Sequence, residues 1–218
     1  MVLSPVRKES DSLLGLPIRF LHEGLGLSPN QISVIGFVAG MIAAGLVAAG
    51  QLASGIAALA FSQIIDGLDG GVARRYNLRS ARGEMFEVVF DRLNEFAFFL
   101  ALAYVGLASL RMALLASTAI LLITWIEPKS KFDPGFKRFM MYFGYAAMLV
   151  FHVQGFEIAL HVVFFANLLG FVVGTVLVDY RFQQQIDREA IERRTREIAA
   201  GIPQPPDDPP SFLSKLFS

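Results

Sequence analysis

The chain has 218 residues, of which 54% are hydrophobic and 17% charged, with 20 Phe, no Cys and a formal net charge of zero; its mean hydropathy is +0.52. That balance excludes an ordinary soluble domain and leads us to expect an all-α integral membrane protein. Zero net charge without a long basic run argues against a nucleic-acid partner, and the absence of cysteine excludes disulfides, thiolate chemistry and cysteine-bound zinc.

In chain order, residues 13–25 carry apolar side chains among Arg19, His22 and Glu23, the pattern of a short helix lying on the membrane surface. Six apolar segments follow, at 31–49, 52–74, 84–107, 112–126, 138–153 and 157–178. Each is near the roughly 20 residues a bilayer core demands, so the expected fold is a six-transmembrane-helix bundle behind an N-terminal interfacial helix. The first span starts on a capping sequence, with Ser28 as N-cap, Pro29 in the first helical position and Gln31 in the third. Gly50-Gln51 and Ser109 to Arg111 mark turns on one side; Pro128 and Asp133-Pro134-Gly135 are expected to break the chain on the other. No cleavable signal peptide is expected, because some thirty residues precede the first span.

Lys and Arg orient the bundle. Arg7, Lys8 and Arg19 precede the first span; Arg74, Arg75, Arg79 and Arg82 surround the loop after the second; Lys129, Lys131, Lys137 and Arg138 surround the loop after the fourth. The opposite side has only Arg111. A multi-pass protein of the plasma membrane with both termini in the cytoplasm is therefore expected. We divide the chain into a cytoplasmic segment 1–27, a membrane domain 28–180 and a cytoplasmic tail 181–218, the tail reading as a charged helix to about residue 200 and then a Pro-rich linker.

The densest chemistry lies in DGLDGGVARRYNLRSARGEMFEVVFD, from Asp66 to Asp91. Asp66 and Asp69 share one helix face, and Glu87 and Asp91 share another. At 1.5 Å per residue Asp66 and Asp91 both sit roughly 12 Å into their helices, while Asp69 and Glu87 are roughly 6–8 Å in. Treated as antiparallel neighbours, the two helices bring all four acids to one pocket near the cytoplasmic interface. Four carboxylates at membrane depth are costly unless a cation sits among them. All-oxygen ligation favours Mg²⁺ or Mn²⁺, and two such ions would clamp a phosphoryl group. Gly67, Gly70, Gly71 and Ala73 leave room for backbone to approach a phosphate, and Arg74 offers a forked cation.

Asp66, Asp69, Gly70, Ala73, Arg74, Gly83, Glu87 and Asp91, at their spacing, resemble the CDP-alcohol phosphotransferase (phosphatidyltransferase) pattern at seven of eight defining positions. Ser28-Pro29-Asn30 is similar to the start of that family's first span. Glu87 departs, standing where the family has its third aspartate; its extra methylene moves the carboxylate by roughly 1.5 Å.

The resemblance implies that Asp66, Asp69, Glu87 and Asp91 hold two metal ions, that Gly70, Ala73 and Arg74 line the CDP site, and that Asp91 is the general base. It implies an enzyme of phospholipid synthesis that transfers a phosphatidyl or ether-lipid phosphatidyl group from a CDP-lipid to a polar alcohol with release of CMP. Homodimerisation is implied by the same likeness. Lys137 and Arg138 suit a phosphorylated acceptor, although positive-inside placement alone is the better explanation of them from sequence. Glu95, one turn beyond Asp91, suits either the acceptor pocket or a pairing with Arg92. An ion-pair network among Asp66, Asp69, Arg74 and Arg92 would account for part of the acidic cluster without any ligand. His22, His152 and His161 are scattered, and no histidine is expected to act in catalysis. Trp125 reads as an interfacial anchor, and Gly36, Gly40 and Gly45 as a face for close helix contact. Two other functions stay open from sequence: a non-catalytic family member that binds lipid or nucleotide, and a cation-coupled transporter.

Overall fold

The structure, a computed structural model, describes residues 15–135 and 137–200. Residues 1–14 and the tail from 201 onward, for which the sequence carries expectations, lie outside the described residues. All regular structure among them is helical: α1 (Gly15–Arg19, running into a wider turn at Phe20–Gly24), α2 (Pro29–Ala48), α3 (Leu52–Arg75), α4 (Ala81–Tyr104), α5 (Leu110–Ser130), α6 (Phe139–Phe151) and α7 (Gly155–Ala199). Four of these, α2, α3, α5 and α7, are long and apolar enough to cross a membrane. The first two-thirds of α4 carries Arg82, Glu84, Glu87, Asp91, Arg92 and Glu95, which lowers its hydropathy. With 13 residues, α6 is roughly 20 Å long, short of a full hydrocarbon thickness.

The caps form where the sequence puts them. Ser28 Oγ accepts from the Gln31 N–H at 3.3 Å, and Gln31 Oε1 accepts from the Ser28 N–H at 2.9 Å, a complete capping box. Ser80 and Ser109 cap α4 and α5 through the N–H groups of Gly83 and Met112. Pro128, expected to break the chain, instead lies within the last turn of α5, which forgoes one N–H bond there and ends two residues later. The helix ends at left-handed Lys131 (φ 54°), whose N–H reaches Glu127 O at 2.7 Å.

Helix packing runs through small residues. A Cβ on Gly36 would stand 3.3 Å from Ile65 Cγ2, and one on Gly40 would collide with the Asn94 amide, so these glycines admit α3 and α4 to the surface of α2. Gly45 meets nothing within 4 Å and plays no part in the contact face. Gly144 and Gly155 let the backbones of α6 and α7 touch, and Gly174 receives Ile126 and Ser130 of α5. The main core gathers Phe98, Phe99, Leu102, Ile120, Phe156 and Leu160, all nearly inaccessible.

Two departures bear on the site. The helices α3 and α4 are not close neighbours: both pack on α2 and barely meet each other, leaving a cleft between them. And α7 does not stop near residue 180; it is one helix of 45 residues, roughly 68 Å by helical rise and about twice a bilayer core. The boundary drawn at 180/181 marks a change of composition within that helix. Arg181 fastens it to α5, with Nη1 donating to Lys129 O at 3.2 Å and Ser130 O at 2.8 Å, a cation on the free carbonyls of a helix C-terminus.

Candidate active site

The cleft between α3 and α4 takes its floor from the first turns of α2. Because α3 runs towards the Arg75 end and α4 runs back from Ser80, the acids of the two helices face the same cleft, Asp69 and Glu87 lining an outer cavity and Asp66 and Asp91 an inner one.

The outer cavity encloses about 270 Å³. Asp69, Gly70, Ala73 and Arg74 line it from α3, Gly83, Glu84 and Glu87 from α4, and Pro29, Asn30 and Ser33 from α2. Asp69 is only 3% exposed; its carboxylate accepts hydrogen bonds from Ser33 Oγ and from the backbone N–H of Gly70. In sequence, Ser33 and Asn30 read only as parts of a helix start. Their role as cavity lining becomes visible once α2 is known to lie beneath both acid-bearing helices. Gly70 leaves room for the Arg74 guanidinium that lies over it, since a Cβ there would stand 3.1 Å from Arg74 Nη1. Gly83 makes comparable room for Asn30, whose Oδ1 would be 3.0 Å from an added Cβ.

The inner cavity, about 340 Å³, is bordered by Gln63, Asp66, Asp91, Arg92, Glu95, Asp133, Lys137 and Arg138. Arg138 Nη2 donates to Asp66 Oδ2 at 2.9 Å and to Asp91 Oδ1 at 2.8 Å, bridging α3 and α4 from the N-cap of α6. Arg92 pairs with Glu95 at 3.0 Å, as the sequence allows, and stands 3.7 Å from Asp91, and Glu95 also borders this cavity. Lys137 is held 3.2 Å from Asp133. An ion-pair network therefore exists, with Arg92 and Arg138 as its cations, whereas Asp69 is bonded to Ser33 and Gly70 in the outer cavity. The Gln63 side-chain nitrogen is buried without a partner among the described residues and borders this network as a spare donor.

No three Asp, Glu, His or Cys side chains stand close enough together to hold a metal ion among the described residues. The donor chemistry still fits a hard divalent ion: all four acids offer oxygen, and one pair already accepts a single cationic nitrogen between its members. Two of the histidines pack elsewhere: His22 lies against Tyr76 in a tilted ring pair, centroids 4.2 Å apart, and His161 contacts Glu157. Trp125 is 64% exposed, with Lys129 Nζ 4.9 Å above its ring.

The wall of the outer cavity is steadied by α1. Ile18 inserts against Leu68 and Val72, and a Cβ on Gly71 would come within 2.6 Å of Ile18 Cδ1. The Tyr76 hydroxyl donates to Glu23 at 2.6 Å and closes the same contact.

Residues 27–173 match the CDP-alcohol phosphatidyltransferase family. Over 83 residues the chain is 30% identical to archaetidylinositol phosphate synthase of Pyrococcus horikoshii, covering 38% of this chain and 44% of that one. The chain spans less than half the length of the curated relatives it matches. Among solved structures, phosphatidylinositol phosphate synthase of Mycobacterium tuberculosis with CDP-DAG bound has the same fold, with a TM-score of 0.63 at 19% identity, covering 74% of this chain and 92% of that one. The same enzyme in complex with manganese and citrate gives 0.62 at 18% identity, covering 74% and 87%. The match extends from the start of α2 well into α7 and includes every acid of the cleft, and on that basis the chain belongs to the CDP-alcohol phosphatidyltransferase family.

Proposed function

We propose that the protein transfers a phosphatidyl group, or its ether-lipid counterpart, from a CDP-lipid to a polar alcohol and releases CMP. The observation that carries this reading is the pair of adjoining cavities: one with the small residues and arginine suited to a nucleoside diphosphate, the next with an acid, Asp91, beside cations suited to an anionic alcohol. Family membership favours this transferase over a cation-coupled transporter.

In the outer cavity, Gly70 and Ala73 let the diphosphate approach the backbone of α3, while Arg74 counters its charge. Asp66, Asp69, Glu87 and Asp91 would hold the divalent ions, Mg²⁺ or Mn²⁺ and two in number, which when bound neutralise the diphosphate and the leaving CMP. The manganese complex of the Mycobacterium tuberculosis protein supports the choice of ion. The acceptor hydroxyl attacks the phosphorus distal to cytidine. A new phosphorus–oxygen bond forms, the bond to CMP breaks with its electron pair leaving on CMP, and the hydroxyl proton passes to the Asp91 carboxylate. Arg92, Lys137 and Arg138 hold an acceptor that carries a phosphate of its own, and the spare donor of Gln63 suits a hydroxyl on it.

In the membrane, the six helices from α2 to α7 cross, the short α6 by local thinning of the bilayer, with the charged part of α4 facing the cleft and α1 lying in the interface. The basic residues at both cleft loops support a cytoplasmic site with both termini on that side, in the plasma membrane. Two copies pair, as the family resemblance implies. The second reading, a member that binds without turnover, is favoured by one residue, Glu87. CMP release from CDP-diacylglycerol or an archaeal CDP-lipid, with Mg²⁺ or Mn²⁺ and a panel of phosphorylated and neutral alcohols, separates them. Turnover that depends on one acceptor supports the transferase. Nucleotide binding without turnover, restored by Glu87→Asp, supports the second reading.

A further inference from the structure

We propose that Arg138 and a divalent cation compete for the Asp66 and Asp91 carboxylates, so that the guanidinium is the pair's own counter-ion and passes to an anionic acceptor when the metal takes its place. The inference rests on the metal reading above and adds a coupling to it.

The geometry supplies both halves of the exchange. Both hydrogens of Arg138 Nη2 are spent, one on Asp66 Oδ2 at 2.9 Å and one on Asp91 Oδ1 at 2.8 Å. A metal ion bound to the same oxygens at its usual distance of about 2.0–2.2 Å would stand against that nitrogen, and two cations so close repel. Withdrawal does not require Arg138 to leave the site, because the buried Glu95 keeps a carboxylate oxygen 3.9 Å from Nε and so leaves the guanidinium a loose ion-pair partner beside its stem. What turns away is the Nη2 end, and the inner cavity with Lys137 lies beside it. A guanidinium released from two carboxylates regains two donors for a phosphate-like anion. Metal and anion thus favour one another, by the same factor in each direction. A purely structural strut predicts the reverse: removing Arg138 would let the carboxylates splay and weaken metal binding.

The test is Mn²⁺ titration of the full chain in detergent, stripped of metal by chelation and followed by electron paramagnetic resonance, with and without sulfate as the anion probe. Arg138→Gln is expected to bind Mn²⁺ about fivefold or more tightly than wild type. Sulfate is expected to tighten Mn²⁺ binding in wild type by a similar factor and to have no effect in the variant. Arg138→Lys keeps the charge but reaches one carboxylate at a time, and falls between the two; with the wild-type sulfate arm it decides the matter if Arg138→Gln does not fold. Folded Arg138→Gln with unchanged or weaker Mn²⁺ binding, or a wild type indifferent to sulfate, overturns the competition alone. A wild type that binds no Mn²⁺ overturns the metal reading with it.

Discussion

Ser33 is the least conspicuous residue of the cleft and the one whose role follows most directly from a single bond. Its hydroxyl donates to a carboxylate that is 3% exposed, and an acid so placed is oriented by the donors that reach it. Outer-sphere hydrogen bonds of this kind typically govern metal affinity by 10- to 100-fold. Ser33→Ala is therefore expected to weaken Mn²⁺ binding by about tenfold or more with little change in fold, measured by the same titration. Glu87 tests the opposite property, reach. Its carboxylate extends one methylene beyond an aspartate's, and Mg²⁺ tolerates misplacement less well than larger ions do. Glu87→Asp is expected to raise the Mg²⁺-supported rate relative to the Mn²⁺-supported one; an unchanged ratio would mean that the cleft absorbs the extra length.

At the scale of elements, glycines separate contact from composition. Gly40 and Gly45 lie on one helix and look alike in sequence, yet a Cβ at 40 collides with Asn94 while a Cβ at 45 meets nothing. Gly40→Ala is expected to cost about 1–3 kcal/mol, and Gly45→Ala to gain up to about 1 kcal/mol from reduced chain entropy; thermal melts in detergent measure both. Helix starts are legible in the amino-acid sequence because a Ser-Pro-x-Gln box, or a Ser three residues ahead of a free N–H, states its own geometry. The pairing of acids by depth is legible too, since helical rise alone levels Asp66 with Asp91 and Asp69 with Glu87. The arrangement around them is not. That α2 lies between α3 and α4, so that the acids face a gap floored by Asn30 and Ser33, depends on small-residue contacts that local sequence does not rank. Arg138 is legible as a cation near the site, but its bridge to Asp66 and Asp91 spans 72 and 47 residues of chain, and no periodicity carries that information.

At the scale of the molecule, the absence of native cysteine makes topology directly measurable. Single cysteines at Arg79 and Lys131 are expected to react with an impermeant maleimide from the cytoplasmic side, and one at Arg111 from the opposite side. Reaction of Arg79→Cys and Lys131→Cys from different sides would contradict six crossings. At roughly twice a bilayer core, α7 is long enough to project beyond a membrane, and Arg181 ties its polar part to the end of α5, from which the chain leads to Lys137 and Arg138. The most direct measurement of the whole account is CMP release from a CDP-lipid by the purified protein with Mn²⁺ and a phosphorylated alcohol, beside Asp91→Asn. The account predicts acceptor-dependent release that falls by about 10²- to 10⁴-fold in the variant, the usual contribution of a general base. Release that is undiminished in Asp91→Asn, or that ignores the metal, would contradict it.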